Sequence, residues 1–581
     1  MADDITIRIN RQKYQTQPDQ FLADILKANN IDLPVFCLLS NEFPLPLHTC
    51  LVEVRGQDGL QPACQLKVED GMRIQTNSGR ARQLRREALK ILLEHWQKDE
   101  NNPPENQEKI EKVKAYLKTG ASDQKHPEPR EYQSMWPSIE IDRTLCIGCQ
   151  RCVSACLQKQ VGYLADKEEG GKKVVEENTN PNISCILCGQ CTLECPVDAI
   201  REQSEIIHVE QAIADPEKIV IVQMAPSIRT SIGEEFGMEA GANVAPQMYT
   251  ALRQLGFDHI FDVNMGADIT TLVEAAELVE ELKHGSKKLP MFTSCCPSWV
   301  KFLRDYYPEM VGHLSNARSP QVHSGAAYKT WWAQQQGIDP DKIVVVSIMP
   351  CTSKKQEARL DELKIQGRKP VDYVLTTRET AYLLKKNGIN LSELEGSAVD
   401  KFGQYSGAAA IYGASGGVVE SALRTAAWML EGKDLPKLEF EQVRGSEGIK
   451  KAEIEIGDKK IKMAIVSTMR NARRILEEMK KDPDAYHCVE VMACPGGCIG
   501  GGGQPKPTTP EKIDQRIAGL YDIDQKSTMR KAHENQVAKD FLAYADTLPE
   551  EQKKELLYRV YPQEENNQDG QNKAKEEKAK E

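Results

Sequence analysis

Two runs of cysteine between residues 146 and 195 share one spacing. Cys146, Cys149, Cys152 and Cys156 repeat the intervals of Cys185, Cys188, Cys191 and Cys195, the last followed by Pro196. This is the bacterial ferredoxin pattern, in which three thiolates of a run bind one 4Fe-4S cube and the fourth reaches across to the other. One cube is expected on Cys146, Cys149, Cys152 and Cys195, the second on Cys185, Cys188, Cys191 and Cys156. Structural zinc competes poorly, because zinc knuckles use two separated Cys-x2-Cys pairs and not compact runs of four. Two neighbouring cubes form an electron conduit.

Cysteines return in three later segments: Cys295 and Cys296 within 293–299, Cys351 within 349–358, and Cys494 with Cys498 within 492–505. Adjacent residues in extended backbone point to opposite sides. Cys295 and Cys296 are therefore expected to do different jobs. One of them, joined to Cys351, Cys494 and Cys498, completes four thiolates, the set for a further cube. Glycines flanking Cys498 are expected to admit an inorganic group close to the backbone. They are not a phosphate loop, since nothing matches GxxxxGKS/T. Glu274 and Glu277 lie three apart on a predicted helix and so share a face, which by itself describes a solvated surface.

The elements that position these residues alternate short β-branched runs with helices. Ile219–Val222 leads into Met224-Ala225-Pro226-Ser227, Ile343–Val346 into Met349-Pro350-Cys351, and Val489–Met492 into Ala493-Cys494; Met463–Ser467 is a further run. Helical stretches such as 271–282 and 417–430 intervene. The alternation predicts parallel βα units with chemistry in loops at the carboxyl ends of strands. Upstream, 6–10, 51–54 and 65–68 read as strands, and 84–96 and 110–117 as helices.

The fold class expected is multidomain α+β and α/β. Residues 1–78 are expected to form a small β-rich unit and 79–135 a helical connector. Residues 136–206 carry the two cubes, and 207–530 form an α/β catalytic domain with parallel strands. Residues 531–562 add a C-terminal helical segment, and 563–581 a Lys/Glu/Asn/Gln tail without apolar periodicity, expected to be disordered.

Composition narrows the setting. The 581 residues are 28% charged with net charge -11, and mean hydropathy is -0.52. An acidic balance argues against general nucleic-acid binding. No apolar run approaches the roughly 18 residues that span a membrane. The N-terminus has neither a basic n-region nor an apolar h-region, so a cytoplasmic protein is expected. Thiols stay reduced there, and clustered cysteines point to metal.

The three later loops resemble, in order and spacing, the signatures of the iron-only (FeFe) hydrogenases, in the long form that opens with ferredoxin-like domains. In that family a 4Fe-4S cube shares one thiolate with a two-iron unit carrying CO, cyanide and a dithiolate, together the H-cluster. The resemblance implies that Cys296, Cys351, Cys494 and Cys498 hold the cube, with Cys498 bridging. Cys295 is then the first proton carrier, followed by Glu274, Ser315 and Glu277. A thiol of pKa near 8.5 suits that task. Glu281 stands where relatives often carry an arginine. Lys354, Pro226 and Ser227 resemble groups that hydrogen-bond the cyanides, Met349 and Met492 the apolar walls, and Gln321 lies in a matching Ser-Pro-Gln segment. Glu357 is expected to steady Lys354, and Cys488 to be a small buried hydrophobe.

Residues 1–78 resemble the plant-type 2Fe-2S domain that opens long members of the family, which implies a β-grasp ferredoxin-like fold, but their ligand set departs from it. Cys37, Cys50 and Cys64 match three ligands of a 2Fe-2S cluster, but Leu47 occupies the fourth position, with His48 one residue away. A 2Fe-2S cluster normally takes four ligands. The incomplete set favours a docking domain without a stable cluster, with Arg80, Arg82, Arg85 and Arg86 steering an acidic ferredoxin. No cysteine follows His95 until Cys146, so the His/Cys3 cluster of long family members is not expected. The implied activity is reversible reduction of protons to dihydrogen, fed by a ferredoxin or a redox partner subunit, with maturation proteins supplying the two-iron unit. A hydrogen sensor or an iron–sulfur assembly paralogue is the alternative. The complete relay disfavours the first, and intact cysteines in all three loops disfavour the second.

Overall fold

The computed structural model describes residues 4–10, 12–31, 33–34, 48–57, 59–98, 110–114, 116–117, 138–169, 172–284, 289–435, 437–457 and 459–561. By internal contacts the chain divides into two units. The first comprises residues 1–158, 162–183 and 194–201, and the second 159–161, 184–193 and 202–581. The second cysteine run is thus shared, with Cys195 in the first unit and Cys185, Cys188 and Cys191 in the second.

The first unit opens with a five-stranded sheet in the order Gln12–Thr16, Ile5–Ile9, Arg73–Gln75, Leu51–Val54, Leu60–Pro62. Alternation drives it: Ile7 and Ile9 are buried while Arg8 between them is exposed, as a period of two requires. Leu22, Ile25 and Leu26 of the helix Leu22–Ala28 share the sheet's core, giving the β-grasp arrangement expected. Residues 65–68 are not a strand. They carry one isolated bridge, Phe21 to Lys67, and the strand that completes the sheet is Arg73–Gln75. The helix Gly79–Lys98 corrects the expected steering patch. Arg85 is buried and donates to the Leu51 carbonyl, Arg80 to that of Thr144 and Arg86 to that of Leu117. Of the four arginines only Arg82 is exposed.

The second unit holds two sheets. In the first, β1 (Ile219–Met224) is flanked by β2 (His259–Asp262) and β4 (Ile343–Met349), with β5 (Tyr373–Thr376) beyond, all parallel. In the second, β3 (Met291–Phe292), β8 (Cys488–Met492) and β7 (Lys459–Ser467) are parallel, and β6 (Ile449–Ile456) closes the edge antiparallel to β7. Every residue of β8, and all but one residue at the start of β1, is buried, the near-continuous apolar pattern of strands covered on both faces.

Helix α1 (Val263–His284) begins where β2 ends and is buried almost without interruption from Val263 to Ala275. It starts eight residues before the expected helix. After α2 (Pro297–Tyr306), the helix α3 (Pro320–Ala327) is a close neighbour of α1 and approaches through Gly266, where an added Cβ would lie 2.1 Å from the Pro320 carbonyl oxygen. The helices Gln536–Asp546 and Glu550–Leu557 contribute Phe541, Leu556 and Leu557 to the same core as β1 and β4. Among the described residues no helix is long and apolar enough to cross a membrane.

Candidate functional site

Four loops leave the carboxyl ends of parallel strands and converge on one cavity. They follow β1 (Ala225-Pro226-Ser227), β3 (Cys295, Cys296), β4 (Cys351, Lys354) and β8 (Cys494, Cys498), and the enclosed space is about 70 Å³. That is the volume of several waters. All these residues line it, with Met349, Met492, Gln321 and the unanticipated Tyr412. Burial pushes the Cys351 thiol up to about 12, with the neighbouring Cys296 adding to it. Cys296, Cys494 and Cys498 are raised for the same first reason. Such thiols ionise only when metal replaces the proton.

Gly497 and Gly501 line the cavity beside Cys498, and the glycines of this loop also bring backbone segments together. Gly497 has φ +101°, and a Cβ there would come within 2.6 Å of the Ser415 nitrogen. A Cβ on Gly502 would lie 2.6 Å from the Cys188 carbonyl oxygen. The missing side chains admit neighbouring backbone, and one of those neighbours is the second ferredoxin run. Gln190 donates to the Gly500 carbonyl at 2.9 Å, Thr192 to that of Gly502 at 2.7 Å, and Thr352 to that of Leu187 at 2.8 Å. The Cys188 thiol is close enough to Cys494 for its charge to help raise that group.

Donors line the wall nearest β1 and β4. The Ser227 hydroxyl is buried without a partner. Lys354 donates to Glu357 at 2.7 Å and to the Cys295 carbonyl at 3.0 Å. An ammonium has three hydrogens, so one remains. Burial alone would lower the Lys354 pKa, but Glu357 reverses this and holds it up. Glu357 also accepts from Ser319 at 2.8 Å and Gln321 at 2.6 Å, fulfilling the steadying role expected of it.

On the opposite side, Cys295 is fully enclosed, and burial, then the charge of Glu274, raise its pKa well above the ordinary thiol value. The unperturbed thiol anticipated from sequence is thus replaced by one held protonated. Glu274 is 1% exposed, and neither carboxylate oxygen completes a hydrogen bond. Burial and the Glu277 charge lift it to about 8, while the Ser294 amide and Ser315 hydroxyl stand near enough to oppose the shift. Ser315 donates to Glu277 at 2.6 Å, and the Asn316 amide donates to the same carboxylate at 3.1 Å. Glu281, one turn on, is half-buried with one carboxylate oxygen enclosed and unpaired.

In the first unit, Cys146, Cys149, Cys152 and Cys195 line a second, smaller cavity. Burial raises Cys149 to about 12, opposed by the Arg151 amide and reinforced by Cys195 and Cys146. The two runs fold alike. Gly148 and Leu187 occupy the same place before the second cysteine with φ +73° and +60°, and their amides donate to Cys146 and Cys185 sulfur at 3.4 Å. Cys156 lies half-buried on the helix Arg151–Lys159. In the loops beside the amino-terminal sheet Cys50 is buried and Cys64 half-buried, and the buried His48 ring has an unpartnered Nε2. Cys37 and Leu47 lie outside the described residues, as does the His95 side chain. Cys488 is buried on β8 as expected.

Sequence reasoning missed Tyr412 and Ser298, both on the cavity wall, and Glu490, a fully buried carboxylate accepting from the Gly416 and Val419 amides. Tyr412 sits between Ile411 and Gly413 in a stretch of small residues with no motif, and only the fold brings it here.

Residues 218–502 match the model of the iron only hydrogenase large subunit, C-terminal domain. Residues 126–200 match a 4Fe-4S dicluster domain, and residues 2–79 a 2Fe-2S iron-sulfur cluster binding domain. Iron hydrogenase 1 of Clostridium pasteurianum is 40% identical over 91% of this chain and 95% of its own length. The NADP-reducing hydrogenase subunit HndD of Solidesulfovibrio fructosivorans is 38% identical over 91% of this chain and 94% of its own. A solved FeFe-hydrogenase from Chlamydomonas reinhardtii aligns with TM-score 0.54 at 36% identity, over 61% of this chain and 98% of that one.

Proposed function

The chain belongs to the iron-only hydrogenases, enzymes of hydrogen metabolism with iron–sulfur cofactors and an H-cluster, and from that premise we propose a specific route for its electrons and protons. Electrons pass through cubes on Cys146, Cys149, Cys152, Cys195 and on Cys185, Cys188, Cys191, Cys156. Protons pass through Cys295, Glu274, Ser315 and Glu277. When bound, the H-cluster supplies the iron at which dihydrogen is formed or split.

The residues present suit that group. Cys296, Cys351, Cys494 and Cys498 line one cavity and would hold the group as thiolates, with Cys498 serving both of its parts. The orphaned Ser227 hydroxyl and the spare Lys354 hydrogen are two donors for two anionic diatomic ligands. Met349 and Met492 keep water off the wall. Cys188, packed on Gly502 beside Cys494, is the last station before the H-cluster.

Glu274 is the observation that carries the proton route. A carboxyl group lifted to about 8 holds or releases a proton near neutrality at little cost. It stands one turn of α1 from Glu277, whose carboxylate already accepts from Ser315. The electron donor is a ferredoxin or a redox partner subunit, in keeping with a relative that is itself a subunit, and maturation proteins supply the two-iron unit.

Cys295→Ser tests the division of labour, because serine raises the acidity barrier of the inner carrier without removing a ligand. The matured variant is expected to keep its infrared CO and CN bands while turnover falls by orders of magnitude. Loss of the bands would reverse the roles of Cys295 and Cys296.

A further inference from the structure

The cavity has one polar wall that the proposed relay does not use. Tyr412 lines it, 4% exposed, and its hydroxyl lies 2.7 Å from the Thr271 hydroxyl, which lies 2.9 Å from that of Ser421. Either oxygen of each pair can donate. Thr271 and Glu274 are three apart on α1 and share a face, so the Tyr412 hydroxyl hangs one helical turn from the Glu274 carboxyl group. Glu274 is also the charge that bears most on Tyr412.

Resting on the relay of the preceding subsection, we infer that Tyr412 is a positioning residue for its second member: the hydroxyl turns toward Glu274 when that carboxyl group is ionised and back toward Thr271 when it is protonated. A chain of hydroxyls suits this task because every link can reverse its donor and acceptor, and a turn of the Glu274 side chain brings its carboxylate within reach. The enclosed carboxylate lacks a completed hydrogen bond of its own, and an ionised group left so is costly. A donor that arrives only with the charge lowers that cost and leaves the protonated form undisturbed.

The Ser294 amide and the Ser315 hydroxyl also favour the ionised form of Glu274, but an amide hydrogen is fixed and Ser315 donates to Glu277, so neither is a donor that comes and goes with the charge. Glu277 on the same helix, Glu490 from β8 and Cys295 from the loop after β3 oppose its ionisation. Tyr561 of the C-terminal segment also senses its charge, but shares its hydroxyl environment with Ser294 and lies near Arg559 and Glu357.

The test is the pH profile of hydrogen oxidation by the matured, full-length enzyme with a viologen acceptor. Glu274 must accept a proton in that direction, so the rate falls as pH drops below its pKa. Tyr412→Phe keeps the ring and removes the donor to the ionised form, so the acid limb should move up by roughly one pH unit. Thr271→Val removes the partner that the hydroxyl uses while Glu274 is protonated, and should move the limb the opposite way. A general disturbance of packing would move both alike. Opposite shifts with unchanged numbers of CO and CN bands support the inference. Limbs identical to wild type in both variants overturn it, provided Cys295→Ser run in parallel remains inactive. An active Cys295→Ser would instead sink the relay itself. Loss of the bands in Tyr412→Phe would make Tyr412 part of the cluster's holding wall and also overturn its positioning role.

Discussion

Glu274 concentrates what the fold does to a single side chain. Its carboxyl group is raised to about 8 from an ordinary 4.5, by burial first and Glu277 second. In the unfolded chain it loses its proton near 4.5, so between the two values the native state binds more protons. Its stabilising share is complete below 4.5 and is lost as pH rises toward 8. Glu274→Gln freezes the protonated shape. The variant should unfold at higher urea than wild type at pH 8.5, by up to roughly 4 kcal/mol, match it near pH 4.5, and turn over poorly at both. An unchanged urea midpoint at pH 8.5 would mean the group is not buried as a neutral acid. The cysteines of this site were legible because metal ligation leaves fixed intervals in a chain. Glu274 and Glu277 became legible only through family register, since two glutamates three apart look like surface. Tyr412 was illegible, because nothing local distinguishes a tyrosine that lines a cavity from one in a core. The arginines after residue 79 misled for the converse reason: a charge cluster does not reveal that Arg80, Arg85 and Arg86 cap backbone carbonyls.

Among the elements, the segment after Glu550–Leu557 acts at a distance. Its Leu557 carbonyl accepts from the Arg318 amide at 3.2 Å and lies 3.0 Å from His323 Nε2, and the Arg559 amide donates to the Asn316 carbonyl at 2.6 Å. Burial drives His323 down to about 3, so its ring stays neutral and the tie to Leu557 is independent of physiological pH. These bonds fix residues 316–323, which begin beside Ser315 and run into α3. Ending the chain after Tyr558 removes the Asn316 tie and frees the turn whose amide and hydroxyl meet Glu277. We expect turnover to fall roughly tenfold, the equivalent of one hydrogen bond to a charged group, with CO and CN bands unmoved. Full activity would show that the turn holds itself. Sequence periodicity found β1, β4 and β8, whose apolar runs need no partner to be recognised. It missed Arg73–Gln75, three residues that are a strand only because Ile5–Ile9 and Leu51–Val54 flank them, and it truncated α1, whose first turns are buried on every side and carry no amphipathic stripe.

At the scale of the whole molecule, the proposed wiring divides conduction from chemistry. Cys191→Ala should break the cube nearest the H-cluster, abolishing electron exchange with a protein partner while a small reductant that reaches the buried site retains some activity. Equal rates with the protein partner would mean that electrons bypass the cubes. The amino-terminal domain offers a separate check of the ligand set expected from sequence, in which Leu47 stands beside three cysteines where four ligands are normal. Leu47→Cys should hold its 2Fe-2S iron against a chelator longer than wild type does, as followed by its paramagnetic signal. Equal retention would mean that another group, such as the unpartnered His48 ring, already completes the set. The central claim, however, is that four thiolates, the Ser227 hydroxyl and Lys354 together hold an H-cluster. The infrared spectrum of the matured wild-type protein tests it most directly. Sharp bands of metal-bound CO and CN are the predicted result, and a featureless spectrum after proper maturation would contradict it.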